Sequence, residues 1–266
     1  MKRFKFILKR LLVITGVLSA AVLFVVVLTS AIKKQDELVC KNIQVKIDYD
    51  SGISFLNERE IKDRINYLSG GNIIGKPLSA VDFRVLEVEM EKNPFVDKAE
   101  VYLNQSQEVL VEVNQKRPIL RVINNDGVSY YLSEKNERIP LSDNFTPHVA
   151  VALGSVETHE NMKRDSIVQI ALYSLIQQIR KDEFLNAMID QLIVKETGEI
   201  DLIPKSDSHL IHFGLVQENE IAEKLERLKI FYKEGLNKVG WTNYKSIDLR
   251  YKNQVVCEKQ ENKSTL

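Results

Sequence analysis

The sequence predicts an α+β protein built as one N-terminal transmembrane helix, a small β-α-α-β-β domain and a strand-rich α+β domain with a mostly antiparallel sheet. Three observations carry this prediction. An uncharged, apolar run covers Leu11 to Ile32. Between Ile43 and Val113, period-two alternation gives way twice to helical periodicity and then returns. From Val128 onward, short alternating runs separated by turn residues frame two longer amphipathic stretches.

The apolar run holds 22 residues, and at helical rise these extend about 33 Å, enough to cross a hydrocarbon core. Lys2, Arg3, Lys5, Lys9 and Arg10 precede it without an acidic residue, whereas Lys33 and Lys34 are followed at once by Asp36 and Glu37. The positive-inside rule therefore puts the N-terminus in the cytoplasm and the rest of the chain outside. A cleavable signal peptide is the rival, with Thr29-Ser30-Ala31 as its small-residue cleavage site. The run exceeds the usual 7 to 15 or so apolar residues of such a signal, which favours an uncleaved anchor. The expected organisation is a cytoplasmic basic tail over 1–10, a transmembrane helix over 11–32, domains over 38–118 and 119–257, and a flexible tail over 258–266.

Composition narrows the function. Thirty-seven basic and thirty-seven acidic residues cancel, and the exported part without its basic N-terminus is mildly acidic, so no nucleic-acid footprint exists. The two cysteines, Cys40 and Cys257, stand near opposite ends of the exported part. They do not make a disulfide scaffold, and two unpaired, half-buried thiols are expected.

In the first exported domain, Ile43, Val45 and Ile47 alternate with polar residues as a strand does. Asn57 with Glu60 reads as a capping box, and Ile61, Ile65 and Leu68 share one helical face before Gly70-Gly71. Ser79 is the expected N-cap of a second helix whose stripe is Val81, Val85 and Val88, with Leu86 beside it; Glu87, Glu89 and Glu91 then face solvent. Asn93-Pro94 ends that helix. Ala99, Val101 and Leu103, then Val109, Val111 and Val113, form a hairpin across Asn104 to Gln107. This element order, together with Lys92-Asn93-Pro94-Phe95-Val96 and the position just beyond the apolar run, resembles the POTRA module, an exported domain that generally binds proteins by strand pairing.

The second domain reads as a strand from Val128 to Leu132, a turn over Ser133 to Asn136, Arg138-Ile139, and a strand from Val149 to Leu153 ending at Gly154. A helix from Met162 to Arg180 presents Ile167, Ala171, Leu175 and Ile179. Three antiparallel strands are expected over Ile189 to Lys195, Glu199 to Pro204 and His209 to Phe213. The next helix buries Ile221, Leu225, Leu228, Tyr232, Leu236 and Val239 and exposes Glu223, Lys224, Glu226, Arg227 and Lys229. A final hairpin runs from Ser246 to Tyr251 and back over Gln254 to Cys257, turning at Lys252-Asn253.

No candidate active site survives inspection of the sequence. His209 and His212 lie three apart on one strand and so point to opposite faces, which argues against joint metal ligation. His148 and His159 have no ligand spacing around them, neither cysteine sits in a Cys-x-x-Cys context, and no serine stands in a nucleophile elbow or a Ser-x-x-Lys motif. Gly70-Gly71 and Gly75 lack the spacing of a phosphate loop. Catalytic, metal and cofactor residues are therefore expected to be none.

An apolar anchor, a POTRA-like unit and a strand-rich domain closing on Ile247-Asp248-Leu249-Arg250-Tyr251-Lys252-Asn253-Gln254-Val255-Val256 resemble the bacterial division family FtsQ/DivIB. Tyr130-Tyr131-Leu132-Ser133-Glu134, Ile139-Pro140-Leu141-Ser142, Pro147-His148-Val149 and Gly154 are similar to the form that family takes in Bacteroidetes-type bacteria. The resemblance implies a non-enzymatic scaffold in the inner membrane at the division septum. It would hold FtsB- and FtsL-like bitopic partners and, through them, help control the septal peptidoglycan synthase. The family's partner strand is the late hairpin, which implies a partner surface at Arg250, Tyr251, Asn253, Gln254, Val255 and Val256, flanked by the helix around Leu228 to Gly235. The alternatives are a POTRA-bearing envelope chaperone or translocation component and a membrane-tethered envelope hydrolase; a deep polar pocket in the second domain would favour the latter.

Overall fold

A computed structural model describes residues 15–27, 38–49, 52–156, 162–205, 209–236, 240 and 243–260. The first element, α1, is a helix over residues 15–27, apolar apart from Thr15, Gly16 and Ser19. Among the described residues no helix is long and apolar enough to cross a membrane. The outer parts of the expected span, 11–14 and 28–32, lie outside the described residues, as does the basic tail.

The chain divides into two compact units, one including Leu56–Asn114 and the strand before it, the other including Gln115 onward together with the short stretch Tyr49–Phe55.

In the first unit, β1 (Asn42–Ile47) leads to α2 (Glu58–Leu68). Asn57 accepts from the Glu60 backbone N–H, and the Glu60 carboxylate accepts from the Asn57 N–H, the reciprocal capping box expected. Ile61 and Ile65 are buried beneath it. A 3₁₀ turn (Leu78–Ala80) then precedes α3 (Phe83–Glu91). Ser79 is therefore not the cap: Asp82 is, its side chain accepting from the Val85 N–H.

This later start rotates the helix relative to the expected stripe. Leu86 and Met90 are buried, while Val85 and Val88 are about half exposed. β2 (Val96–Leu103), the turn at Asn104–Gln107 and β3 (Glu108–Gln115) complete the unit. The sheet order is β1-β3-β2, with β1 parallel to the central β3, so the two helices serve as the crossover that parallel pairing requires.

The second unit is a nine-stranded sheet. Its first strand, β4 (Pro118–Asn124), was not expected; it pairs antiparallel with β5 (Ser129–Ser133), which pairs with the two-residue β6 (Arg138–Ile139). The turn between β5 and β6 depends on Asn136, whose backbone takes a φ of 61°, and on Ser133 Oγ, which accepts from the Lys135 and Glu137 N–H groups. β7 (Ala150–Gly154) returns parallel to β4. α4 (Met162–Lys181) and the short α5 (Glu183–Met188) cross over to β8 (Ile189–Val194), parallel to β7. β9 (Ile200–Pro204) and β10 (Leu210–Gly214) continue as the expected antiparallel meander.

α6 (Glu218–Ile230) runs on into a π-helical turn (Phe231–Leu236) and crosses to β11 (Tyr244–Asp248), parallel to β10; β12 (Val256–Lys259) closes the sheet antiparallel to β11. The strand order β12-β11-β10-β9-β8-β7-β4-β5-β6 puts both helical crossovers one step in the same direction, so α4 and α6 share one face. One core joins them to the sheet.

α6 buries Ile221, Leu225 and Leu228, and the π turn adds Tyr232 and Leu236, as the period predicts; Val239 lies outside the described residues. Two expectations need correction. On α4 the buried set is Val168, Leu172, Leu175, Ile176 and Ile179, whereas Ile167 is exposed and Ala171 half-buried. Lys224 is not on the solvent face of α6: its hydrocarbon stem is buried, and its ammonium donates to the carbonyl oxygens of Phe213 (3.3 Å) and Leu215 (3.5 Å). The polar tail also begins later than expected, since Glu258 and Lys259 belong to β12.

Candidate functional site

The end of the sheet formed by β11 and β12 gathers the residues singled out in the late hairpin. β12 is an edge strand, and among the described residues no side chain hydrogen-bonds the backbone of Val256–Lys259. The Gln260 N–H donates inward to the Asn243 carbonyl at 2.9 Å. Alternation along an antiparallel pair therefore turns the N–H groups of Cys257 and Lys259 outward.

Only Val256 of the six candidate residues lies in that strand. Arg250, Tyr251, Asn253, Gln254 and Val255 form the connection between β11 and β12, which is longer than the two-residue turn expected. Asn253 supplies the reversal with a φ of 60°. Arg227 on α6 holds the connection from below: its guanidinium donates to the carbonyl oxygens of Tyr251 (2.8 Å), Gln254 (3.2 Å) and Leu249 (3.4 Å). The Tyr251 side chain and Val256 are left about half exposed.

Arg250 is turned the other way. Its guanidinium forks onto Asp248, with Nε at 3.0 Å from Oδ1 and Nη2 at 2.6 Å from Oδ2, and its stem lies over Gly214, where a Cβ would meet Arg250 Cγ at 2.7 Å. Burial raises the Asp248 pKa, but the side-chain and backbone hydrogen bonds from Arg250 outweigh it and leave the carboxyl below its ordinary value. Arg250 is thus a brace between the connection and the sheet face. Asp248 belongs to a cross-strand row with His212 and Asp201. His212 Nδ1 lies 2.9 Å from Asp201 Oδ1, whose other oxygen takes Lys195 Nζ at 2.8 Å.

His209 sits on the opposite side, buried against the Tyr232 hydroxyl, so the two histidines are separated as the strand spacing requires. Among the described residues no cluster of three metal-ligating side chains occurs. Cys40 and Cys257 are free thiols, the first buried and the second half-buried, and burial raises both pKa values.

Between the connection and the helical turn lies a groove of about 490 Å³ lined by Arg227, Ile230, Phe231, Glu234, Gly235, Asn253, Gln254 and Val255. Its floor is apolar and its rim is charged or amide-bearing. Leu228, the first residue of the expected helical flank, is fully buried, whereas Ile230, Phe231, Glu234 and Gly235 of the same stretch line the groove. Ile230 is a legible signal in retrospect, because it is a large apolar residue lying off the Leu225, Leu228, Tyr232 stripe and is 48% exposed. Arg227 carried no such mark, since a basic residue on a helical polar face is ordinary.

A second cavity, about 470 Å³, opens where the mid-sheet strands β4, β7 and β8 begin, and includes Arg117, Glu134, His148, Arg180, Asp190 and Lys205 in its lining. Its lining contains no Ser, Thr or Cys, and Glu134 is tied to Arg180 at 3.2 Å.

A family model described as "FtsQ/DivIB, C-terminal related" matches residues 117–258, and one described as "POTRA-like domain" matches residues 38–114. No curated protein matches the chain significantly. The first match covers more than half of the chain, includes the groove and reaches into β12 as far as Glu258. The chain belongs to the FtsQ/DivIB family of bacterial cell-division proteins.

Proposed function

We propose that this chain is a non-enzymatic divisome scaffold that is anchored in the inner membrane by the Leu11 to Ile32 run and captures FtsB- and FtsL-type bitopic partners outside it. The observation that carries the reading is the position of β12: a strand at the open edge of a nine-stranded sheet, with an apolar groove beside its entry. An extended partner segment added to β12 would gain main-chain hydrogen bonds from the outward N–H groups of Cys257 and Lys259. Its flanking apolar side chains would enter the groove between Phe231 and Val255, and Tyr251 and Val256 would select among sequences. Arg250 contributes by bracing the connection on Asp248.

Held at the septum by the anchor, such a complex would act on the septal peptidoglycan synthase through the partners. Co-purification from membranes tests the reading. Lys259→Pro removes an outward donor from an edge position that tolerates proline, and Val255→Glu puts a charge into the groove. Each is expected to lower recovery of the FtsB-type partner at least tenfold while the ectodomain keeps its melting temperature. Undiminished recovery with both folded variants would refute the surface.

A further inference from the structure

The two sheets treat their edges in opposite ways. β2 is an outer strand of the three-stranded sheet, and α3 runs beside it. The Glu87 carboxylate accepts from the Val101 N–H at 2.8 Å, and the Glu91 carboxylate accepts from the Ala99 N–H at 3.2 Å. Glu87 and Glu91 are four apart on one helix and so lie on one face, one turn above the other. Ala99 and Val101 are two apart on a strand, so their N–H groups point the same way. The two periods match, and each of these two donors meets its own carboxylate. Glu89, between them, turns instead toward Lys92 and Arg64.

We propose that Glu87 and Glu91 take the place of a neighbouring strand and seal the β2 edge against pairing with another chain. An open row of N–H and C=O groups recruits strands. A carboxylate accepting a main-chain N–H makes a charge-assisted bond that an incoming neutral carbonyl must displace. On the exposed face of β2, Lys98 pairs with Glu100, a further charged pair of the kind that discourages edge-to-edge association. The backbone just before β1, the other outer strand, is also occupied: the Cys40 N–H donates to the Lys76 carbonyl, the Cys40 carbonyl accepts from the Gly75 N–H, and the Leu38 carbonyl accepts from the Leu78 N–H. The sealing rests on α3 and β2 alone and stands whether or not β12 binds a partner.

Three full-length proteins in detergent test it: the parent, E87A/E91A, and E87Q/E91Q, in which the amide oxygens still accept. Amide hydrogen exchange is read at Ala99 and Val101, with Val111 of the central strand as the folding control, and the molecular mass is read by sedimentation. The alanine variant is expected to exchange at Ala99 and Val101 at least tenfold faster and to self-associate, while the glutamine variant, whose neutral oxygens still accept, shows a smaller change in both. Unchanged exchange at both amides in the alanine variant, or an opened edge that leaves it as monomeric as the parent, would overturn the proposal. If the double variant loses protection at Val111, E91A and E87A decide it singly, through Ala99 and Val101 respectively.

Discussion

The guanidinium of Arg227 lies 2.8 Å from the carbonyl oxygen of Tyr251, and it joins the last turn of α6 to the connection that leads into the edge strand β12. The same fork reaches Gln254 and Leu249, so one side chain fixes three carbonyl groups in a stretch that has no ladder of its own. A partner strand meeting this connection would not have to order it, which lowers the entropic cost of association.

Arg227→Ala is therefore expected to cost about 2 kcal/mol of ectodomain stability, from charge-assisted bonds lost at a largely buried side chain. It should also accelerate amide exchange between Tyr251 and Val255. Arg227→Lys should rescue little of this, because an ammonium cannot span the three carbonyls as a planar fork does. Urea unfolding with exchange measurements checks both.

Gly154 ends β7 with a φ of 104°, and a Cβ there would lie 2.3 Å from the Val194 carbonyl oxygen. Both the left-handed backbone and the close approach exclude a side chain. Gly154→Ala should destabilise by about 3 kcal/mol or more, seen as a lower denaturant midpoint with an unchanged slope. Gly52→Ala, which also has a positive φ but meets no atom within 4 Å, should cost clearly less.

Burial lowers the pKa of His209 from its ordinary 6.5. The folded protein then binds fewer protons at this site than the unfolded chain does. Stability is fully present above about pH 6.5, falls as pH drops through that value, and stops falling once the folded pKa has been passed. The melting temperature should decline between pH 7.5 and 5.5. His209→Phe, which cannot titrate, should start lower through the loss of the Tyr232 contact and decline less over the same range. An equal decline in the variant would assign the pH dependence elsewhere.

Lys224 covers the Phe213 ring at 5.0 Å and satisfies two carbonyl oxygens at the end of β10 and just beyond it. Lys224→Ala should cost about 1 to 2 kcal/mol despite removing only a helix-face lysine, measurable by chemical denaturation.

Particular residues show what the sequence could and could not disclose. The α6 stripe from Ile221 to Leu236 and the Asn57–Glu60 cap were legible because one local period or one local bond decides each of them. β4 was not: it begins at Pro118 and reads Ile119-Leu120-Arg121-Val122-Ile123, the near-continuous apolar run of a strand between two others, which alternation cannot reveal. α5 is six residues long and is started by the Asp182 side chain on the Leu185 N–H, too short for a period to show.

At the edges the difficulty was tertiary. Glu87 and Glu91 look like any solvated carboxylates until β2 is laid against α3. The late hairpin is legible, but not that Arg250 in it, while still exposed, forks onto Asp248, a choice made by the sheet face and by Gly214 beneath it.

The central claim is that β12 accepts a partner strand, and backbone exchange reads it most directly. Amide exchange of the full-length protein is measured alone and with an FtsB-type partner, both in detergent. The account predicts slowing at Cys257 and Lys259, whose N–H groups face outward, with smaller effects along Tyr251–Val255. Complex formation that leaves the Cys257 and Lys259 amides exchanging at their free rates would contradict it.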